Sequence, residues 1–149
     1  MASNVTSRET VRDSVATLLS TAMVGAGKLA QAVYNYQIGD FAEQSPVIVV
    51  TSGSSFRGRL DSQGMGDTVF EIDVHIFVLY ALVGGTWTEA QSEDSLDAIE
   101  KKVIDTLVDG FDAQPWLYLD IPNLSMISPV VIGENEYRRE TMTLVIGVK

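Results

Sequence analysis

The most regular hydrophobic pattern lies between Val69 and Val83, where the side chains follow a period of two. The even positions are all apolar: Phe70, Ile72, Val74, Ile76, Val78, Tyr80 and Leu82. Strict alternation over this length predicts a long β-strand with one permanently buried face. The odd positions change halfway, from polar Glu71, Asp73 and His75 to apolar Phe77, Leu79, Ala81 and Val83. We therefore expect half of the second face to meet water. The other half should meet apolar groups of this chain or of a second copy.

Two amphipathic helices are predicted on either side of this strand. Thr6 to Glu9 fits a capping box with Thr6 as the N-cap, and the first helix should end near the glycines at 25 and 27. The second helix should begin between residues 88 and 92 and end at Asp109, with Gly110 just past its end. Its apolar stripe consists of Leu96, Ile99, Val103 and Leu107.

The remaining strands are shorter or follow the prolines. Strands are predicted at Val33–Tyr36, at the continuous β-branched run Val47–Thr51, at Ser128–Ile132 and at Tyr137–Val148. The closing strand again alternates, with Met142, Leu144, Ile146 and Val148 on one face. This order of elements predicts a single-domain α+β fold, in which a largely antiparallel or mixed sheet carries both helices on one face.

The stretch Ser52–Thr68 is rich in glycine and serine, and at 17 residues it is longer than most loops. One interpretation is an exposed, mobile hairpin tip. The other is a contact arm for a partner, with Phe56 as its apolar anchor and Arg57 and Arg59 beside it.

Length and composition favour one domain with a core of its own. The chain has 149 residues, 46% of them hydrophobic, and no cysteine, which excludes disulfides and thiolate metal sites. No apolar run approaches the roughly 20 residues of a membrane span, and the N-terminal residues lack the apolar core of a signal peptide. We expect a soluble protein that stays where it is made and has no membrane partner.

The net charge of −10 is unevenly distributed. Residues 61–120 contain 13 acids and only two basic residues, Lys101 and Lys102. An acidic middle disfavours tight binding of nucleic acid, because affinity for phosphates comes from clustered Lys and Arg. It allows a role in repelling DNA, although solubility is the simpler explanation.

The sequence contains few candidates for catalytic, metal-binding or phosphate-binding residues. His75 shares a strand face with Glu71 and Asp73, which is the type of grouping that a general base or a metal site uses. A structural histidine is the favoured interpretation, because no nucleophile motif accompanies it. The segment from Gly25 to Lys28 is not a phosphate loop, since Ala22 and Leu29 stand where the motif needs glycine and a hydroxyl. We expect no enzymatic activity, no metal and no cofactor.

The layout is nevertheless distinctive. A capped helix and a short strand come first and are followed by Phe41 and Pro46-Val47. A long strand contains Glu71 to Val78, and an amphipathic helix begins around Ser92 to Asp97. The closing strand begins with Tyr137-Arg138-Arg139. This layout resembles that of the tail terminator proteins of long-tailed bacteriophages, the family that includes the minor tail protein U of lambda-like phages.

The resemblance implies a structural virion protein. Such a protein forms a ring, expected to be a homohexamer, that caps the tail tube, ends its polymerisation and presents a surface to the head-side connector. Its partners are further copies of itself, the tail tube protein and the connector protein, and DNA passes through its channel without specific binding. It belongs at the head-proximal end of the tail, and in the host cytoplasm during assembly. It needs no cofactor.

The resemblance also suggests roles for particular residues. Phe77 and Leu79 become candidates for the subunit interface, and Glu71 and Asp73 for the channel lining. The loop at 52–68, with Phe56, Arg57 and Arg59, becomes an arm that grips the tube or a neighbouring subunit. Two alternatives remain. One is another head–tail connector, neck or tube subunit, and the other is an α+β module whose apolar half-face holds a small molecule.

Overall fold

The computed structural model describes residues 6–42, 44–57, 68–80, 88–121 and 125–148. The elements in chain order are α1 Arg8–Met23, β1 Ala32–Tyr34, β2 Val47–Arg57, β3 Thr68–Leu79, α2 Glu89–Gly110, a 3-10 turn Phe111–Ala113, β4 Tyr118–Asp120, β5 Met126–Ile132 and β6 Asn135–Val148. Two helices and a six-stranded mixed sheet confirm the predicted α+β fold.

The long strand of the sequence pattern is a central strand of the sheet. The strands lie in the order β1-β2-β3-β6-β4, and β5 also pairs with β6. Among the strands of the described residues, β1 and β2 run parallel, and the other pairs are antiparallel. β3 pairs with β6 along the whole length of β3, from Thr68 opposite Val148 to Leu79 opposite Tyr137. β4 and β5 share the outer edge of β6, one at each end.

Both helices pack on the face formed by the even positions of β3, which we call the helix face. Ile72, Val74 and Ile76 lie in one buried cluster with residues from both helices. α1 contributes Val11, Val15, Leu19 and Met23, and α2 contributes the predicted stripe Leu96, Ile99, Val103 and Leu107. The predictions of one buried strand face and of both helices on that face are confirmed.

The helix ends differ in part from the predictions. The N-cap of α1 is Ser7 rather than Thr6, and its hydroxyl accepts a hydrogen bond from Thr10 N at 3.1 Å. α2 begins as predicted, because Thr88 and Gln91 form a capping box. Gly110 is helical rather than left-handed, with φ of −87°. Its lack of a side chain serves packing instead, since a Cβ there would lie 2.8 Å from a methyl group of Leu18 on α1.

The predicted loop at Ser52–Thr68 is shorter than expected. β2 continues to Arg57 and β3 begins at Thr68, with an irregularity in the pairing between Ser52 and Ser55. Arginines from α1 hold this part of β2: Arg12 donates to Ser52 Oγ, and Arg8 donates to Gly53 O and Ser55 Oγ, all at 3.0 Å. The prediction is therefore wrong for residues 52–57, and residues 58–67 lie outside the described part. The predicted extension of β3 to Val83 falls partly on residues 81–87, which are also outside it.

Gly147 supports the short strand β4 by its lack of a side chain. The ring of Tyr118 lies over it, and a Cβ on Gly147 would come within 2.2 Å of that ring. We expect Gly147→Ala to lower the free energy of unfolding by about 0.5–1.5 kcal/mol, because the exposed ring of Tyr118 must move to another position. Chemical denaturation measures this effect. Adding Tyr118→Ala should recover most of the loss, and equal losses with and without Tyr118→Ala would contradict the explanation.

Candidate functional site

The odd positions of β3 belong to the second face of the sheet, opposite the helix face. The apolar half of this second face is covered by other residues of the same chain. Phe77 and Leu79 are only 2% and 5% exposed. The ring of Phe41 meets that of Phe77 edge-on at 4.8 Å and that of Tyr137 at 5.4 Å between centroids. The expectation that Phe77 and Leu79 form an exposed subunit interface is therefore wrong. Both lie in a second core, together with Val47, Val49, Tyr137 and Phe41.

The covering segment runs from Asn35 to Pro46 and is fixed by hydrogen bonds at its end. Tyr34 Oη donates to Gln44 Oε1 at 2.7 Å, and Tyr137 Oη donates to Gln44 O at 3.1 Å. Leu79 N donates to Ser45 Oγ at 2.8 Å, and the Ser45–Pro46 peptide bond is cis. These contacts place Phe41 over Phe77. The apolar half-face is thus filled by side chains of this chain.

The polar half of the same face carries a row of hydrogen-bonded side chains on three strands. His75 lies between two hydroxyls, with Thr51 Oγ1 at 3.1 Å from Nε2 and Thr141 Oγ1 at 2.9 Å from Nδ1. One step along, Thr143 donates to Asp73 Oδ1 at 2.7 Å. Glu71, the other candidate for a channel lining, is exposed, and Asp73 is half-buried.

His75 is half-buried, and its surroundings favour the neutral form of the ring. Burial lowers its pKa, the nearby Asp73 carboxylate opposes this, and Arg139 adds to the lowering. Both of its ring nitrogens are occupied by threonine hydroxyls, so neither is directed at a carboxylate as in a general-base pair. Within the described residues, no group of three or more His, Asp or Glu side chains is arranged to hold a metal ion.

The lowered pKa of His75 makes stability depend on pH in a defined direction. The unfolded chain, with a His pKa near 6.5, takes up a proton more readily than the folded protein. The free energy of unfolding should thus be highest above that pH and fall as the pH drops below it. Denaturation of the wild type and of His75→Gln between pH 5 and about 7.5 should reveal this slope as a pH-dependent difference between the two proteins. His75→Gln should lose that contribution at a cost of about 0.5–1.5 kcal/mol at neutral pH.

An NMR titration of the His75 ring measures the same property directly. A folded-state pKa at or above 6.5 would contradict the assignment of His75 as a buried neutral group.

The candidate contact residues of the predicted arm lie at one corner of the sheet. Phe56 is opposite Val69 near the end of the β2–β3 pair, and its side chain is 67% exposed. The backbone of Arg57 is opposite Thr68. Arg59 lies outside the described residues. Arg8, which donates to Gly53 O and Ser55 Oγ, brings a positive charge to the helix face of this corner.

A second exposed region, which sequence reasoning missed, lies on β5 at the opposite corner. Met126 is 71% exposed and Val131 67%, and Ile127 is also exposed. Ile127 and Val131 pair with Glu140 and Glu136 of β6 and share the helix face with them. Because β5 lies two strands beyond β3, over which α2 packs, its apolar side chains remain uncovered. The strand predicted at Ser128–Ile132 lies within β5, but the sequence did not show that its apolar side chains would stay uncovered.

Glu140 is a buried carboxyl on that same side of the sheet. Only 3% of it is exposed, and one oxygen accepts a hydrogen bond from Ser125 Oγ at 2.9 Å. Burial raises its pKa, and the charges of Glu100 and Asp97 on α2 raise it further, against the effect of Ser125. The parity of β6 could have revealed its position, since residue 140 is in phase with inward-facing Met142 and Leu144.

Neutralising Glu140 should stabilise the protein at neutral pH. A raised pKa in the folded state means that its stability is greatest below the unfolded value, near 4.5, and is lost as the carboxyl ionises with rising pH. We expect Glu140→Gln to raise the free energy of unfolding at pH 7 by about 0.5–2 kcal/mol. The advantage should shrink in acid. A constant difference between pH 4 and 8, or a loss at pH 7, would contradict this account.

An open groove lies on the helix side of the protein. Its volume is about 600 Å³, and it lies between α1 and the end of α2. Hydroxyl side chains line it, among them Thr10, Ser14, Thr17 and Thr106, with Asp13 as its carboxylate. Asp13 already accepts a hydrogen bond from Asn35 at 2.8 Å. The groove thus has no pair of titratable groups suited to acid–base catalysis among its lining residues.

No helix in the described part of the chain combines the length and apolar character needed to cross a bilayer. Scans of the sequence against protein-family models and against curated proteins found no match.

Proposed function

We propose that this chain is a structural subunit of a ring that caps the tail tube of a long-tailed bacteriophage. The ring ends polymerisation of the tube and joins the tail to the head-side connector. It works at the head-proximal end of the tail, after assembly in the host cytoplasm, and uses no cofactor. Its partners are other copies of the chain, the tail tube protein and the connector protein, while DNA passes through the channel.

The distribution of exposed apolar side chains carries this proposal. Phe56, Met126 and Val131 are each at least two-thirds exposed, and they lie at opposite corners of one sheet. Ile127 and Val131 lie on one face of β5, and exposed apolar side chains that cluster in this way mark surfaces for association with other proteins. Two separate surfaces on one chain suit a subunit that has a neighbour on each side, as in a ring. The resemblance in layout to tail terminators supports the same role.

The main alternative from another functional class, a small-molecule-binding module, lacks an open binding surface at the apolar half-face. A small-molecule module requires the apolar half-face around Phe77 to be open to a ligand. Phe41 and Tyr137 fill that space and leave Phe77 2% exposed. The polar half-face beside it, with exposed Glu71, is available as the lining of a channel whose negative charge repels passing DNA.

Tube capping tests the proposal. The chain is added to tail tube protein from the same genome during polymerisation, and electron microscopy measures tube lengths and ends. We expect shorter tubes with a sixfold ring at one end. Tubes of unchanged length without rings would overturn the proposal, and incorporation along the tube wall would favour a tube subunit instead.

A further inference from the structure

We infer that the second face of the sheet carries a binding site for one oxyanion, a phosphate or a carboxylate, at the side chain of Arg139. Arg139 lies on β6 between Phe77 of β3 and Ser128 of β5, at the border between the apolar and the polar half of this face. The ligand bonds to the guanidinium and to the hydroxyl groups beside it. The site is independent of the proposed ring, because it uses no contact between copies.

The guanidinium of Arg139 has almost no acceptor within the described part of the chain. Its one hydrogen bond there runs from Nη2 to Ser128 Oγ at 3.4 Å, which is long for such a bond. Nε is buried and has no acceptor among the described residues. A half-buried charged group with unused donors is costly. An oxyanion that accepts from Nη1 and Nη2 together, in the two-bond arrangement typical of arginine, reduces this cost.

The described residues also provide no counter-ion for Arg139. Acids outnumber lysines and arginines by 20 to 10 in the sequence, yet none of the described acids forms an ion pair with Arg139. Asp73 shares its sheet face, but Asp73 is opposite Thr143, four residues along β6 from Arg139 and on the order of 13 Å away. Its Oδ1 accepts a hydrogen bond from Thr143 instead. A counter-ion from another molecule therefore suits this position.

Two hydroxyl groups lie on the same face next to Arg139. Ser128 is directly across from it on β5, and Thr141 is the next residue of β6 on this face. Thr141 Oγ1 lies 2.9 Å from Nδ1 of His75, and a hydroxyl that accepts from a ring N–H still has its own proton to donate. One guanidinium with neighbouring hydroxyls is a donor set that suits the oxygens of a phosphate or a carboxylate.

Binding at this site should be coupled to the protonation of His75. Burial lowers the pKa of His75, the Asp73 carboxylate raises it, and the charge of Arg139 lowers it. The β2 and β6 side chains bonded to the ring are threonines and carry no charge. A bound anion offsets the charge of Arg139 and favours the protonated ring, so it raises the pKa of His75. By reciprocity, the anion should bind more tightly as the pH falls.

Proton NMR of the intact chain tests the site, because the ring signals of its single histidine need no assignment. Sodium phosphate and sodium acetate are titrated separately, with sodium chloride keeping the ionic strength constant. We expect a saturable shift of the His75 ring signals and a higher pKa of His75 at saturation than in chloride alone. Saturation by phosphate only assigns the site to phosphate groups, and saturation by acetate only assigns it to carboxylates.

Matched variants separate this site from a general effect of charge. Arg139→Gln should weaken anion binding by about tenfold or more and abolish the anion-dependent rise in the pKa of His75. Arg138→Gln removes the same charge one residue away, where Arg138 is paired with Glu93, and should bind like the wild type. Ser128→Ala should bind more weakly than the wild type. Circular dichroism checks that each variant folds.

A shift that grows linearly with anion concentration in the wild type, without saturation, would overturn the site. An equal shift in Arg139→Gln and the wild type would do the same. Neither result affects tube capping, so a failure of this site is distinguishable from a failure of the proposed ring.

Discussion

Replacing Phe77 by alanine is expected to lower the free energy of unfolding by about 3–5 kcal/mol, which is the usual cost of removing a buried aromatic ring. Phe77 is 2% exposed and packs against Phe41 and Tyr137, whose rings lie 4.8 and 6.4 Å from its own. The substitution leaves a cavity in the second core and removes two aromatic contacts. Urea denaturation followed by circular dichroism measures the loss.

Phe56→Ala is the matched control, since it makes the same substitution on the same face of the sheet. Phe56 is 67% exposed, so its replacement should change the free energy of unfolding by no more than about 0.5 kcal/mol. The two variants should thus affect different properties, one the stability of the fold and the other assembly. Phe77→Ala should unfold easily, and Phe56→Ala should fold normally but assemble poorly. A stable Phe77→Ala that fails to assemble would restore Phe77 as an interface residue and contradict the structure.

The alternating pattern predicted the sheet well because the polarity of the side chains on each strand face matches what that face contacts. The even positions of β3 identified the face on which the helices pack, and the alternation of β6 identified its partner. The change along the odd face from Asp73 to Phe77 correctly indicated two environments. The pattern could not identify what covers the apolar half, because a strand face responds alike to any apolar neighbour.

The segment that covers the apolar half-face has no periodic hydrophobic pattern in the sequence. Phe41 is the buried anchor of an irregular segment, with partly buried Ile38 beside it, and it reaches the sheet through turns rather than through a helix or strand. Its position is fixed by distant contacts, such as the hydrogen bond from Tyr137 to Gln44. Such contacts depend on the finished fold. Assigning Phe77 to a subunit interface was the consequence of not seeing this segment.

The sequence signals at the helix ends also leave alternatives, and only the packing of the folded chain determines which one is adopted. Thr6 and Ser7 both satisfy the composition of a helix N-cap, and the structure selects Ser7. Gly110 fits the signature of a helix C-terminus, yet it is retained in the helix and lies against Leu18. The exposed β5 patch, by contrast, arises from topology. Its side chains are apolar in sequence, and only the position of β5 at the outer edge of β6 leaves them uncovered.

Replacing Phe41 by alanine should also cost about 3–5 kcal/mol, because the ring is 1% exposed and fills the space between Phe77 and Tyr137. The expected consequence is local as well as global. Amide hydrogen exchange should speed up first at Gln44 and Ser45, which bond to Phe41 O and Gln31 Oε1. The sheet amides of β3 should keep their protection until the whole domain unfolds.

The double variant Phe41→Ala with Phe77→Ala then measures the contact itself. Two packed rings should give a coupling energy of about 0.5–1.5 kcal/mol, so the double variant should lose less than the sum of the single losses. Strict additivity would contradict a direct stabilising contact between the two rings. A loss of less than about 1 kcal/mol for Phe41→Ala alone would mean that the cover contributes little, and the half-face at Val47, Phe77 and Leu79 would again be open to a second copy. A clear coupling energy instead makes this face part of the core and leaves assembly to the two exposed corners.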